Sequence, residues 1–158
     1  MNKNMDEKRD EALSFLVAHD VGVLATVGKN NQPGARMVYY ICDDSFAIYF
    51  LTFNNTRKVS DLSLNPLAAF VVSEIDIPRT IQIEGEVTDL TNTATLNPLL
   101  SGFVHRLMTD KPYGIPLSHF DSGEIKFFKL TPSWIRWGDF TFGKGTNEVL
   151  SEIVPEPE

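Results

Sequence analysis

Two adjacent cations, Arg57 and Lys58, are the residues of this sequence best placed to bind an anion. They follow an aromatic, strand-like run and a polar segment that ends in Thr56, and they open a short predicted helix. The start of a helix carries partial positive charge, so cations there are unfavourable unless an anion binds. Backbone N–H groups, a threonine hydroxyl and both cations would then converge on a phosphate. The alternative is that Arg57 pairs with Asp61 one turn later while Lys58 is solvated.

A third cation, Arg36, interrupts the otherwise apolar run from Ala35 to Tyr40. Arginine is rarely buried without a partner, and its planar guanidinium suits two-point binding of a phosphate. The competing interpretation is an arginine at the edge of a strand that reaches solvent. The residues alone leave both interpretations open.

Other kinds of chemistry find little support in the sequence. It contains no P-loop or GxGxxG motif, which disfavours nucleoside triphosphates and dinucleotides. His19, His105 and His119 lack metal-ligand spacing, and the single cysteine, Cys42, excludes an internal disulfide. We therefore predict no metal site, and no residue is assigned as a general acid or base.

The elements that carry the three cations alternate between hairpin-like strands and short helices. An N-terminal helix is predicted over residues 5–18, with Asn4 and Glu7 as a capping box. A second helix is predicted from Asn55 to Leu64. Four strands are predicted in the first half of the chain: Gly22–Val27, Ala35–Ile41, Phe46–Phe53 and Leu67–Ser73.

The second half of the chain continues this pattern. Thr80–Val87 alternates apolar and polar residues, which predicts a half-exposed strand. A helix is predicted to begin at Asn97, with Pro98 at its first position. The last two predicted strands are Glu124–Leu130 and Ser133–Trp137.

This order predicts a mainly β fold, an antiparallel and Greek-key-like β-barrel with flanking helices. Strands that follow one another through tight turns do not fit a parallel βαβ sheet, which needs long crossover connections. A single domain is predicted over residues 1–158, and the acidic tail, residues 150–158, is a candidate for disorder.

The charge balance narrows the range of partners. With 14 basic and 21 acidic residues the formal net charge is −7, and the cations form no basic stripe, so a nucleic-acid partner is not expected. The sequence shows no apolar run of bilayer length and no signal-peptide core, so we expect no membrane association and a cytoplasmic location. The expected partners are small molecules or a second copy of the chain.

The succession of motifs resembles the pyridoxamine 5′-phosphate oxidase-like family, the FMN-binding split barrels. The motifs are Arg36–Val38 on one strand, Phe50–Thr52 on the next, then Arg57–Lys58, and Asn65–Pro66 before the following strand. The resemblance covers residues 12–90. It implies an FMN-binding split barrel that forms a homodimer with FMN sites at the subunit interface.

The resemblance also implies which residues contact the cofactor. Three cations would bind the FMN phosphate: Arg36, Arg57 and Lys58. Five residues of two strands would contact the ring or the ribityl chain: Met37, Val38, Tyr39, Leu51 and Thr52. On a further strand an amide side chain approaches the flavin in this family. Thr80 takes the aligned position and Gln82 lies two residues on, and we favour Gln82.

The implied function is that of a flavin-dependent oxidoreductase with an unassigned substrate, using a small-molecule substrate or a nicotinamide electron donor. The segment Thr131–Phe140 lacks the recognisable Trp- and Arg-rich substrate signature of true pyridoxamine-phosphate oxidases, so vitamin B6 oxidation is not expected. The alternatives are a non-catalytic flavin or haem carrier and a deazaflavin-dependent reductase.

Overall fold

The computed structural model describes residues 4–93, 98, 101–103, 105, 124–141 and 149–155. The chain begins with helix α1, Met5–Ala18, over the predicted range. Its capping box forms as the sequence indicates. The Glu7 backbone N–H donates to the Asn4 side chain at 2.8 Å, and the Asn4 N–H donates to the Glu7 carboxylate at 3.0 Å. These two bonds fix the start of the helix because they satisfy otherwise unpaired N–H groups.

Among the described residues, seven strands and a second α-helix of two turns follow α1. The helix is α2, Arg57–Leu64, which lies between the third and fourth strands. The strands are β1 Val21–Val27, β2 Pro33–Cys42, β3 Ile48–Phe53, β4 Leu67–Glu74, β5 Arg79–Asp89, β6 Ile125–Asp139 and β7 Leu150–Ile153.

Six of the strands close into an antiparallel barrel in the order β3-β2-β1-β4-β5-β6, because β6 also pairs with β3. Strand β7 joins the outside of this ring through β6. The predicted fold class, a mainly β barrel with few helices, is thereby confirmed. Closure of the sheet pairs the backbone groups that an open edge would expose.

Alternating residues of each strand fill the barrel. The large side chains that are almost completely buried come from both halves of the chain, and they include Leu24, Phe50, Phe70, Ile81, Ile83 and Leu130. Burial of each such side chain contributes about 1.5–3 kcal/mol, so this set is a main source of stability. A smaller apolar cluster covers the outer side of β3: Ala47, Tyr49, Phe103 and Phe127.

The prediction of two separate final strands was wrong. Ile125–Asp139 forms one strand, and Pro132 lies within it opposite Gly85. The register shifts between Glu84 and Gly85, so a β-bulge accommodates the residue that cannot donate a ladder hydrogen bond. At Gly85 the strands approach so closely that a Cβ would lie 1.9 Å from the Thr131 carbonyl oxygen.

The structure differs from two further predictions, and a third prediction lies largely outside the described residues. Phe46 has φ 64°, so it belongs to the turn before β3 rather than to the strand. The tail proposed for disorder begins with a strand, because Leu150–Ile153 pairs with β6. The predicted helix from Asn97 lies largely outside the described residues, although Phe103 is buried. No helix among the described residues has the length and apolar character needed to cross a membrane.

Candidate functional site

The three predicted phosphate-binding cations meet at one end of the barrel, where β1 ends, β2 begins and α2 packs against β1. Arg36 lies on β2 opposite Leu24, and its side chain extends toward the barrel end. Arg57 and Lys58 occupy the first turn of α2. Strand pairing and the turn after β3 thus bring together residues that are up to 22 positions apart in sequence.

Arg36 is held by a buried carboxylate. Its Nη2 lies 3.3 Å from Oδ2 of Asp61, and its Nη1 donates to the hydroxyl of Thr26. That hydroxyl in turn donates to the same Asp61 oxygen at 2.8 Å. Asp61 and Thr26 are 4% and 1% exposed, while the Arg36 side chain keeps 22% exposure. The interpretation of Arg36 as a solvent-seeking edge residue was therefore wrong, because its guanidinium is anchored and only partly open to solvent.

Lys58 is directed at threonine hydroxyls on the neighbouring strand. Its Nζ donates to Oγ1 of Thr52 at 2.6 Å and lies 3.5 Å from Oγ1 of Thr56. Partial burial of the ammonium, and then the positive charge of Arg36, lower the pKa of Lys58 below its ordinary value of 10.5. Lys58 therefore carries a positive charge that its surroundings do not fully compensate.

Arg57 makes the ion pair with Asp61 that the sequence offered as one alternative, and its side chain stays open to solvent. Its Nε lies 4.0 Å from Oδ1 of Asp61, one helical turn away, yet its side chain is 64% exposed. The start of α2 also lacks a side-chain cap, because the Thr56 hydroxyl donates instead to the Phe53 carbonyl at 3.0 Å. A positive, uncapped helix start beside an exposed guanidinium is suited to an incoming anion.

The charges at this barrel end favour a doubly charged anion. Arg36, Arg57 and Lys58 supply three positive charges and Asp61 supplies one negative charge, which leaves a formal charge of two. A phosphate monoester carries about −1.5 to −2 near neutral pH. The residues present therefore fit the terminal phosphate that the resemblance implies, with donors from a strand, a helix and a helix start.

Affinity for inorganic phosphate should fall as the pH rises through the lowered pKa of Lys58. A bound dianion favours the ammonium, so binding takes up a proton above that pKa and weakens as the pH increases further. Calorimetric titration between about pH 7 and about pH 10 measures this slope. Lys58→Arg stays charged throughout and should bind phosphate with a flatter pH dependence. The same slope in both proteins would assign the effect to another group.

The residues predicted to contact the ring do not share one face. Met37, Tyr39 and Leu51 lie on the outer side of the barrel, where Met37 is 65% exposed and Leu51 packs beside Tyr49 and Phe127. Val38 points into the core and is 5% exposed, so its backbone is the part that an outer ligand could reach. The Thr52 side chain is turned toward Lys58 at the barrel end.

Gln82 lies on the same outer surface but on another strand. It pairs with Val71, which pairs with Val23, which pairs with Met37. Three strand spacings separate Gln82 from Met37, roughly 14 Å. Within one chain, the structure therefore groups Arg36, Arg57, Lys58 and Thr52, while Gln82 stands apart from them.

The sequence analysis did not identify Thr26 or Asp61 as residues of the site. The sequence suggested Asp61 only as an ion-pair partner of Arg57, in the alternative in which no anion binds. In the structure Asp61 contacts both Arg36 and Arg57. The available signal was a carboxylate four residues after Arg57 on a helix that packs against an arginine-bearing hairpin. Its burial and its bond with Thr26 depend on pairing between strands, which local spacing does not define.

Comparison with known proteins defines the family. A family model described as pyridoxamine 5′-phosphate oxidase matches residues 9–137 of this chain. The chain belongs to the pyridoxamine 5′-phosphate oxidase family. The resemblance drawn from the motifs is thus confirmed, and the matched segment contains most of α1, strands β1 to β5, most of β6 and the three cations.

Curated relatives of the pyridoxamine 5′-phosphate oxidase family match only part of the chain. A pyridoxine/pyridoxamine 5′-phosphate oxidase of Aliarcobacter butzleri is 34% identical over 49% of this chain and 37% of its own length. The corresponding protein of Cupriavidus metallidurans is 41% identical over the same shares. The match thus spans little more than a third of these relatives.

Solved structures of low identity share the fold. A pyridoxamine 5′-phosphate oxidase-related, FMN-binding protein of Nostoc punctiforme has a TM-score of 0.59 at 16% identity, over 96% of this chain and 95% of its own. A haem-binding protein of Mycobacterium smegmatis has a TM-score of 0.70 at 17% identity, over 93% of this chain and 57% of its own. A FAD-binding protein of Mesorhizobium loti has a TM-score of 0.61 at 18% identity, over 79% of this chain and 89% of its own. Proteins with this fold thus include flavin and haem binders.

Proposed function

We propose that this protein binds FMN and acts as a flavin-dependent oxidoreductase with a substrate other than vitamin B6. The observation that carries the proposal is the convergence of Arg36, Arg57 and Lys58 at one barrel end, where Asp61 is the one carboxylate that the described residues place between them. That excess of positive charge matches a terminal phosphate monoester. Riboflavin lacks this phosphate, and in FAD the phosphate is part of a pyrophosphate bridge to AMP.

The chain's own residues would bind and orient the cofactor. The phosphate would sit against the two arginines and Lys58, and the ring would extend along the outer side of β2 and β3 past Met37, Tyr39 and Leu51. These apolar side chains would limit the access of water to one ring face. When bound, the isoalloxazine ring supplies the electron-transfer chemistry, and the protein supplies its position and electrostatic surroundings.

Reconstitution of the purified protein tests the cofactor. We expect FMN to bind with an oxidised-flavin absorption spectrum and at least about tenfold more tightly than riboflavin, since the phosphate adds charge-assisted contacts. Equal affinity for FMN and riboflavin would contradict the phosphate site. A Soret band after haem addition, without flavin binding, would instead support the haem-carrier alternative that the Mycobacterium smegmatis neighbour suggests. Selective binding of a deazaflavin would support the third alternative.

Rapid mixing with NADH or NADPH then separates enzyme from carrier. Bleaching of the bound flavin by either donor would support a reductase that takes electrons from a nicotinamide. Flavin that stays oxidised with both donors, yet exchanges electrons with a chemical reductant, would favour a passive carrier. No described residue is assigned as an acid or base, so the expected activity depends on the ring and its donor.

We also propose that the protein works as a homodimer that uses the outer surface of β2, β1 and β4. Paired outer residues on these strands are apolar: Val23 faces Met37 on one side and Val71 on the other. Met37, Leu67 and Val23 are 65%, 59% and 40% exposed. A second copy on a two-fold axis would bury this surface and bring the Gln82 edge of one subunit toward the flavin side of the other.

Val23→Glu should convert the dimer to a monomer. A carboxylate in the middle of an apolar interface loses its hydration without gaining a partner, so association becomes unfavourable. Sedimentation velocity gives the mass of each species. Thr88→Glu, a substitution on the polar outer face of β5, serves as the control and should leave the dimer intact. A wild-type protein that sediments as a monomer at all concentrations would contradict this assignment.

A further inference from the structure

The carboxylate of Asp61 joins three elements at the proposed phosphate site. It comes from α2, it accepts a hydrogen bond from Thr26 at the end of β1, and it pairs with Arg36 on β2. Thr26 also accepts from Arg36, so the guanidinium is held through two of its nitrogens. These three residues form a closed triangle that is buried on the Asp61 and Thr26 sides.

The chain leaves a defined space for this carboxylate. A Cβ at Gly28 would lie 2.4 Å from Oδ1 of Asp61, so a side chain at that position would displace the carboxylate. Gly28 follows the end of β1, directly after the strand that carries Thr26. The space for the Asp61 carboxylate is thus limited by the backbone just after β1, and its hydrogen bond comes from Thr26 within β1.

We propose that Asp61 is a positioning residue for phosphate binding, acting through Arg36; this inference rests on the proposed function. A guanidinium has five N–H donors in a rigid plane. Asp61 and Thr26 occupy one donor on each terminal nitrogen, which sets the plane and leaves the remaining donors for the phosphate. An unanchored Arg36 would have to lose rotamer freedom each time the ligand binds.

Two simpler roles predict different results. If Asp61 only fastens α2 to the barrel, its loss lowers the stability of the protein and weakens the binding of every ligand, with or without a phosphate. If its negative charge mainly repels the phosphate, its neutralisation tightens binding. The positioning role predicts weaker binding of the phosphorylated ligand alone, and it predicts that the effect disappears when Arg36 is absent.

The test compares FMN, riboflavin and inorganic phosphate on the wild type and on Asp61→Asn. We expect about a tenfold loss of affinity for FMN and a parallel loss for phosphate, with riboflavin unchanged. In the Arg36→Ala background, Asp61→Asn should cause no further loss. Asp139→Asn is the matched control because it likewise neutralises a carboxylate that is paired with an arginine, Arg79, roughly 20 Å along β5 from the site.

A second variant keeps the test informative if Asp61→Asn folds poorly. Thr26→Val keeps the side-chain shape and removes the bridging hydroxyl, so FMN affinity should fall at least about threefold with riboflavin unchanged. Unchanged or tighter FMN binding, an equal loss for riboflavin, or an additive loss in the Arg36→Ala background would each overturn the inference. If the wild-type protein does not bind phosphate and does not bind FMN more tightly than riboflavin, the proposed function itself is refuted, and the role of Asp61 with it.

Discussion

Replacing Arg57 and Lys58 together with alanine should weaken FMN binding by about a hundredfold, because two charge-assisted contacts of at least ~1.5 kcal/mol each are lost. Lys58 is the more enclosed of the two and faces Thr52, whereas Arg57 is largely exposed, so we expect the single Lys58 variant to account for the larger share. Equilibrium titration of flavin fluorescence measures both. Riboflavin affinity should change little, since it presents no phosphate to the site.

The chain offers a closely matched control for this double variant. Lys8 and Arg9 are also adjacent cations in a helix, but they lie on α1 and contact Ser151 and the Asp44 carbonyl. Alanine at both positions changes the net charge equally and should leave FMN affinity nearly unaltered. If both double variants lose the same affinity, long-range charge rather than a phosphate site explains the effect. If neither loses affinity, the phosphate does not bind at the start of α2.

Gly85→Ala should destabilise the fold by about 3 kcal/mol, near the upper end for overpacking a tight site. The added methyl would meet the Thr131 carbonyl oxygen at 1.9 Å, and that oxygen belongs to the backbone of the neighbouring strand. Relief requires β5 and β6 to separate at the bulge, which breaks ladder hydrogen bonds between these two strands. Urea denaturation followed by tryptophan fluorescence reports the change, since Trp134 and Trp137 lie on β6.

Gly102→Ala is the contrasting substitution. A Cβ there meets no atom of the described residues within 4 Å, and alanine has the higher helix propensity, so stability should stay equal or rise slightly. Comparable losses at Gly85 and Gly102 would show that backbone freedom, not the close approach of β5 and β6, decides the outcome. A neutral Gly85→Ala would show that the bulge can open at little cost.

Much of the fold was predictable because local patterns and the pairing geometry agree. The alternation in Thr80–Val87 and the turns around β2 predict antiparallel hairpins. The edge strands of a sheet built from such hairpins must be paired or covered, and closing the sheet into a barrel pairs them. The motif order from Arg36 to Lys58 predicted the family and the cation cluster. The predicted cofactor contacts of Met37 and Gln82 stay predictions, since each depends on where a ring lies and on whether a second subunit is present.

The remainder depended on contacts between distant residues. Pro132 normally ends a strand, and only the bulge opposite Gly85 allows Ile125–Asp139 to continue through it. The acidic composition after residue 149 suggested disorder, yet Leu150–Ile153 gains pairing from β6. Asp61 is an ordinary helix residue by spacing, and its role follows from the way β1, β2 and α2 meet.

The strand pairing that closes the barrel has a consequence for the order of folding. The seam between β3 and β6 joins residues 48–53 to residues 125–130, the widest sequence separation among the pairs of the ring. Thr26, Arg36 and Asp61, by contrast, lie within a single stretch of 36 residues. Because the entropy of closing a loop grows with its length, contacts within that stretch are less costly to form than the seam. The residues of the proposed phosphate site therefore leave the ribosome well before the last strand that seals the barrel has been made, and their contacts close shorter loops than the seam does.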